Sequence, residues 1–260
     1  MSNNPMGKTG RWFGGVGLLL LVVLMAWLGR ALSPGINWIA EMCLMIVFVV
    51  VLGIVIVKRP MGILINERKL MSLSRFQMVV WTIIILSAYI TMVLVRIKEG
   101  IADPLAIQMD WQVYALMGIS TTSLVGTPLI NSTKTTKDPA DEVAQKTADA
   151  VPGESVDAVK NNSEGILYGN ADVKDARLTD MFEGDELNNT WLIDLSKVQM
   201  FFFTLVAALS YGILLFNTIK NKGPDGLGSF PKISEGMLAI LGISHGGYLA
   251  SKGTDHTPTK

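Results

Sequence analysis

Apolar residues in this chain come in long unbroken blocks rather than in alternation. Residues 12–32, 38–57, 76–95, 111–130 and 198–219 each carry few charged side chains, and a shorter block covers 236–250. A hydrocarbon layer about 30 Å thick takes roughly 20 helical residues to cross. The first five blocks meet or approach that length. Lipid offers the backbone no hydrogen bonds, so such segments must be helices or strands of a closed barrel. Continuous runs such as 18–28 and 45–57 lack the alternation a barrel requires. The pattern predicts an all-α, polytopic transmembrane protein of six helices, the last one short.

One stretch occurs twice. Leu73-Ser74-Arg75-Phe76-Gln77-Met78-Val79-Val80-Trp81-Thr82 returns as Leu195-Ser196-Lys197-Val198-Gln199-Met200-Phe201-Phe202-Phe203-Thr204. Downstream of each, Leu116-Met117-Gly118-Ile119-Ser120 answers Ile240-Leu241-Gly242-Ile243-Ser244. The repeated unit is a helical hairpin, and both copies start on the same side, so a tandem parallel repeat is expected rather than an inverted one. The organisation predicted is an N-terminal hairpin (1–60), a first repeat hairpin with a basic interfacial segment (61–130), an acidic and partly flexible loop (131–194), a second repeat hairpin (195–252) and a polar tail (253–260).

Charge sets the orientation. Lys58, Arg59, Arg68, Lys69 and Arg75 form the densest cationic cluster between two spans, which the positive-inside rule places in the cytoplasm together with both termini. The apolar members of that segment, Met61, Ile63, Leu64, Leu70 and Met71, predict a stretch lying on the membrane surface. In the long polar loop, 134–162 contains no aromatic residue and reads as flexible. Its later part holds Leu178, Met181, Phe182, Leu187 and Trp191 among Asp172, Asp175, Asp180, Glu183, Asp185 and Glu186. The basic segment is the expected docking site for this acidic part. Asp185 and Glu186 read as an exposed acidic pair.

Half of the residues are hydrophobic, 17% are charged and the formal net charge is zero, a balance that suits a bilayer and offers nothing to a nucleic acid. With one cysteine, Cys43, no intrachain disulfide or Cys-based metal site can form. His245 and His256 are the only histidines, so zinc chemistry is not expected, nor is any other cofactor. No phosphate-binding glycine loop or nucleophile constellation points to an enzyme.

The candidate site is therefore polar membrane-embedded surface. Gln77, Thr82 and Ser120 of the first copy and Gln199, Thr204 and Ser244 of the second, with His245 beside the last, form either a helix interface or the lining of a hydrated path. Arg30 and Glu41 lie at comparable distances from the turn at Ser33-Pro34-Gly35 and form a candidate ion pair, with Glu41 as ion ligand or proton carrier the alternative.

The segment Arg177-Leu178-Thr179-Asp180-Met181-Phe182-Glu183-Gly184-Asp185-Glu186, the second Gln-Met signature and 238–249 resemble uncharacterised bacterial membrane proteins with paired Gln-Met and Gly-Ile-Ser hairpins. The resemblance covers roughly 69–252. It implies a multi-pass protein of the bacterial inner (cytoplasmic) membrane and brings no activity or site residue with it. Two functions follow as expectations. One is an oligomeric scaffold or anchor subunit whose loop docks a partner or a sister subunit, with the lipid bilayer as its surroundings. The other is an oligomeric channel or pore-like transport protein with the hairpins around a polar path.

Overall fold

The helices begin and end where local chemistry dictates. The computed structural model describes residues 8–221 and 227–260, with side chains from residue 14 onward except that of Arg30. The first helix, α1 (Lys8–Ala31), gives way to α2 (Pro34–Val57) through Ser33, which is extended, and Pro34, whose missing N–H costs nothing in the first turn. Lys58 stops α2 by turning left-handed (φ 60°), and its N–H returns to the carbonyls of Gly53 and Ile54. A Cβ on Gly53 would lie 2.7 Å from the Arg59 carbonyl oxygen, so only glycine lets the chain fold back here.

Next come α3 (Leu73–Lys98) and α4 (Trp111–Lys134), the latter continuing through Pro128. Two short helices follow, α5 (Val143–Ala150) and α6 (Val156–Asn162), and then the long α7 (Leu195–Asn221) and α8 (Glu235–Gly253). Asp194 opens α7, its Oδ1 accepting the N–H groups of Ser196 at 2.9 Å and Lys197 at 3.3 Å. Four helices, α2, α3, α4 and α7, are long and apolar enough to span a membrane. The fold is all-α, with eight helices among the described residues, four of them candidate spans. The described side chains of α1, Gly14–Gly29, are also apolar, and glycines and polar residues keep α8 out of the set.

The chain divides into two compact units. The first comprises 1–63, 79–115 and 207–234. Here α1 lies against α2, where Gly14 leaves room for the Val55 side chain. The indole N–H of Trp38 on α2 donates to the Ser87 hydroxyl on α3 at 2.9 Å, and the Trp38 ring lies 6.3 Å from that of Phe216 on α7. Two loops of this unit pair through the Phe230 N–H, which donates to the Gln108 carbonyl, and the Gln108 N–H, which donates to that of Gly228. Tyr89 and Tyr211 each send their hydroxyl to a carbonyl of the loop that follows, Leu105 at 3.2 Å and Pro231 at 3.1 Å.

The second unit comprises 64–78, 116–206 and 235–260. Two expectations are corrected here. Residues 143–150 and 156–162, read as part of a flexible stretch, are helical, because Val143, Ala144 and Val159 close an apolar cluster with Leu70, Tyr168 and Leu187. The apolar residues of the basic segment do not all face outward. Leu64, Ile65, Leu70 and Met71 are buried, and the backbone folds back on itself in an antiparallel bridge between Ile65 and Met71. Lys69, at φ 60°, supplies the tight turn.

Candidate functional site

The polar interior of the second unit is built in tiers from four helices and the loop. Gln77 on α3 is wholly buried, and its Nε2 donates to Thr204 Oγ1 on α7 at 2.6 Å and to the Met200 carbonyl at 3.4 Å. Ser123 on α4 meets His245 Nδ1 on α8 at 2.6 Å. Ser74, Thr127 and Tyr248 form a hydroxyl triangle with sides of 3.2 to 3.4 Å. One turn further along α8, Lys252 lies 5.6 Å from the Tyr248 ring centroid and forms an ion pair with Asp185.

Asp185 is the hub of a charge cluster. Arg68 Nη2 reaches its Oδ1 at 2.6 Å, and the ammonium groups of Lys197 and Lys252 face its Oδ2, that of Lys197 at 3.3 Å. All three cationic side chains are buried. Burial alone would push the carboxyl up, but Lys197, Lys252 and Arg68 outweigh that and hold Asp185 well below the usual carboxylate range. Arg68 also donates to the carbonyls of Tyr168 and Asp185, both at 2.8 Å, and Lys197 donates to the carbonyl of Glu183 at 2.5 Å. A second buried pair, Lys134 with Glu186 at 2.5 Å, is completed by the Thr254 carbonyl and the His256 N–H.

The acidic part of the loop thus docks on the basic segment, as its charge suggests. The Met71 N–H donates to Asp180 at 3.0 Å, and Asn170 bonds the backbone of both Arg68 and Lys69. Burial pushes the Asp180 carboxyl up despite the backbone N–H groups of Met71 and Arg177 that favour its charged form. The reading of Asp185 and Glu186 as exposed acids is corrected. Their partners come from positions as distant as 68, 134 and 252, which no local pattern reveals. The same loop carries a cavity of about 530 Å³ bordered by Glu154, Asp175, Asp180 and Glu183, with Tyr168 and Trp191 in its wall and Arg177 as its one cation.

The predicted site residues separate. Gln77 and Thr204 meet directly, but Gln199, the counterpart of Gln77, is exposed on α7. Ser120 is buried and bonds the Leu116 carbonyl of its own helix at 3.4 Å. Thr121 and Thr122 are exposed, and each returns its hydroxyl to a carbonyl one turn back at 2.8 Å, so these two are satisfied within α4, whereas Ser123 and Thr127 reach other helices. Ser244 is buried, and its hydroxyl has no partner among the described residues. His245 is held by Ser123. Thr82 is partly buried in the first unit. Glu41, also in the first unit, is wholly buried, while the side chain of Arg30 lies outside the described residues, so the expected pair has one described member.

No protein-family model, curated protein or solved structure matches this chain. The polar groups of the second unit mostly bind one another, as in a helix interface, and the strongest of them tie a folded loop to helix ends.

Proposed function

We propose that the chain is an integral-membrane scaffold or anchor subunit, resident in a bacterial inner membrane and oligomeric, whose loop domain of residues 135–194 docks a partner or a sister subunit. The observation that carries this reading is the Asp185 cluster. Burying three cations around one carboxylate is expensive and is recovered only by fixed geometry. Chain ends and connecting loops do not need such a device, whereas a platform that must hold its shape against a partner does. Gln77 with Thr204, Ser123 with His245 and the Ser74–Thr127–Tyr248 triangle further support packing over an open path.

The cationic segment 58–75 favours a cytoplasmic loop domain with cytoplasmic termini. A parallel duplication of 73–130 and 195–252 is supported by the matching tyrosine-to-loop bonds of Tyr89 and Tyr211. Under this reading the copies have diverged at Gln199, whose exposed amide is free to meet another subunit. The test is cysteine substitution at Gln77, Thr82 and Ser120 in membranes, followed by an impermeant thiol reagent, with the native mass of the extracted protein measured in parallel. Protection at all three with a defined oligomer is expected. Rapid modification of the three in a ring-forming oligomer would overturn the scaffold and establish the pore.

A further inference from the structure

Two fully buried polar side chains in the first unit have no hydrogen-bond partner among the described residues. Asn37 and Glu41 stand one turn apart on α2, so their side chains share a helix face. Both are 0% exposed. Among the described residues, neither the amide nitrogen and oxygen of Asn37 nor the two carboxylate oxygens of Glu41 have a hydrogen-bond partner. Other helices of the unit pack around this end of α2. Trp38, between them in sequence, is tied to Ser87 on α3 and stacked near Phe216 on α7, and Gly35 brings the Lys220 stem and Phe216 against the start of α2. Thr91, one turn from Ser87 on α3, is likewise 0% exposed with an unpartnered hydroxyl.

An ionised carboxylate in such a place is not sustained without a counter-charge, and a carboxamide left unbonded loses the water it gave up on folding. One carboxylate and one neutral amide oxygen carry a single negative charge. A singly charged cation neutralises it, whereas a divalent ion would leave net charge in an apolar bundle. Compact oxygen ligands suit a hard ion. Helix α2 is also the most apolar of the candidate spans, so this pair is the one interruption that its burial does not explain.

We propose that Glu41 and Asn37 form an exchangeable site for a monovalent cation, a proton or a sodium ion, held within the helix bundle. Glu41 supplies the charge and Asn37 the second oxygen. The site is separate from the loop domain and does not rest on the scaffold reading.

The test uses the full chain in liposomes and the carboxyl reagent dicyclohexylcarbodiimide, which attacks protonated acids in apolar surroundings. Labelling is followed by intact mass and located by fragmentation. The expected result is a single adduct on Glu41 that disappears in Glu41→Gln and declines as pH rises. Suppression by sodium chloride but not by choline chloride assigns the ion as sodium, and indifference to sodium assigns a proton. Asn37→Ala shifts the half-protecting sodium concentration upward about tenfold or more, or, for a proton, moves the pH midpoint. Absence of labelling at every pH and salt concentration in folded protein would overturn the proposal and point to a fixed protein charge, for which Arg30 is the residue to substitute. Labelling that is indifferent to both pH and sodium would overturn it equally. Folding of each variant is checked by its elution profile and thermal transition, so a collapsed variant is replaced by Glu41→Asp or Asn37→Ser.

Discussion

Asp185→Asn removes one charge and almost no volume from the cluster that holds the loop domain. Three buried cations would then face an amide that can still accept one bond from Arg68 but neutralises none of them. Breaking a buried pair by neutralising one partner costs roughly 3–5 kcal/mol, and the retained carbonyl oxygen argues for about 3 kcal/mol. Since each 1.36 kcal/mol is tenfold, opening of the domain should rise on the order of 100-fold. The assay is limited proteolysis of 135–194 in detergent or nanodiscs, with rates read under conditions where opening and closing are fast. The wild-type protection should persist in about 1 M salt, because buried pairs are poorly screened.

The pH dependence gives a second reading of the same cluster. The native carboxyl is held well below its ordinary value. Its stabilisation is therefore complete above the unfolded value of about 3.9, and it is lost as pH falls through the native value. Wild-type protection should accordingly decline below about pH 4 towards that of the variant. Equal cleavage rates for wild type and Asp185→Asn at neutral pH would refute the reasoning.

Gln77→Leu should lower stability by about 1 kcal/mol, through loss of its bond to Thr204. Gln199→Leu should stay within about 0.5 kcal/mol in the isolated chain, because its side chain is exposed; detergent-unfolding midpoints check both. Gly165→Ala puts a Cβ against the backbone of Lys134 and Thr135 at a position with φ 61°. A loss of roughly 2–4 kcal/mol in loop-domain stability is expected, visible as faster proteolysis. Lys134→Met alone leaves Glu186 charged and buried, costing roughly 3–5 kcal/mol, whereas Lys134→Met with Glu186→Leu should recover most of it. A thermal-melting double-mutant cycle reads the coupling, and additive losses would sink the idea.

The helices were legible because their length and apolarity are the two properties that sequence displays most directly. Even so, their ends ran past the apolar blocks. Pro34, Asp194 and Lys58 set the boundaries through backbone geometry rather than hydropathy. The loop was harder to read. Val143, Ala144 and Thr147 fall on one helical face, a signal present in the sequence but drowned by the surrounding Asp, Lys and Thr. The buried charges were not legible at all. Asp185 and Glu186 look like any surface acids until Arg68, Lys134, Lys197 and Lys252 are brought to them by the fold. Duplication misled in one respect, since Gln77 and Gln199 share a motif but not an environment. Burial depends on what each helix packs against, and the motif does not encode that.

The three cations around Asp185 come from widely separated stretches, and the last of them, Lys252, belongs to α8. During synthesis the acid can meet Arg68 and Lys197 first, but its set of partners stays incomplete until α8 has been made. Docking of α8 therefore acts as a latch on a domain already translated, and a chain stalled before it would carry a loosely fastened loop. Fastening of the loop thus follows the order in which its charges leave the ribosome.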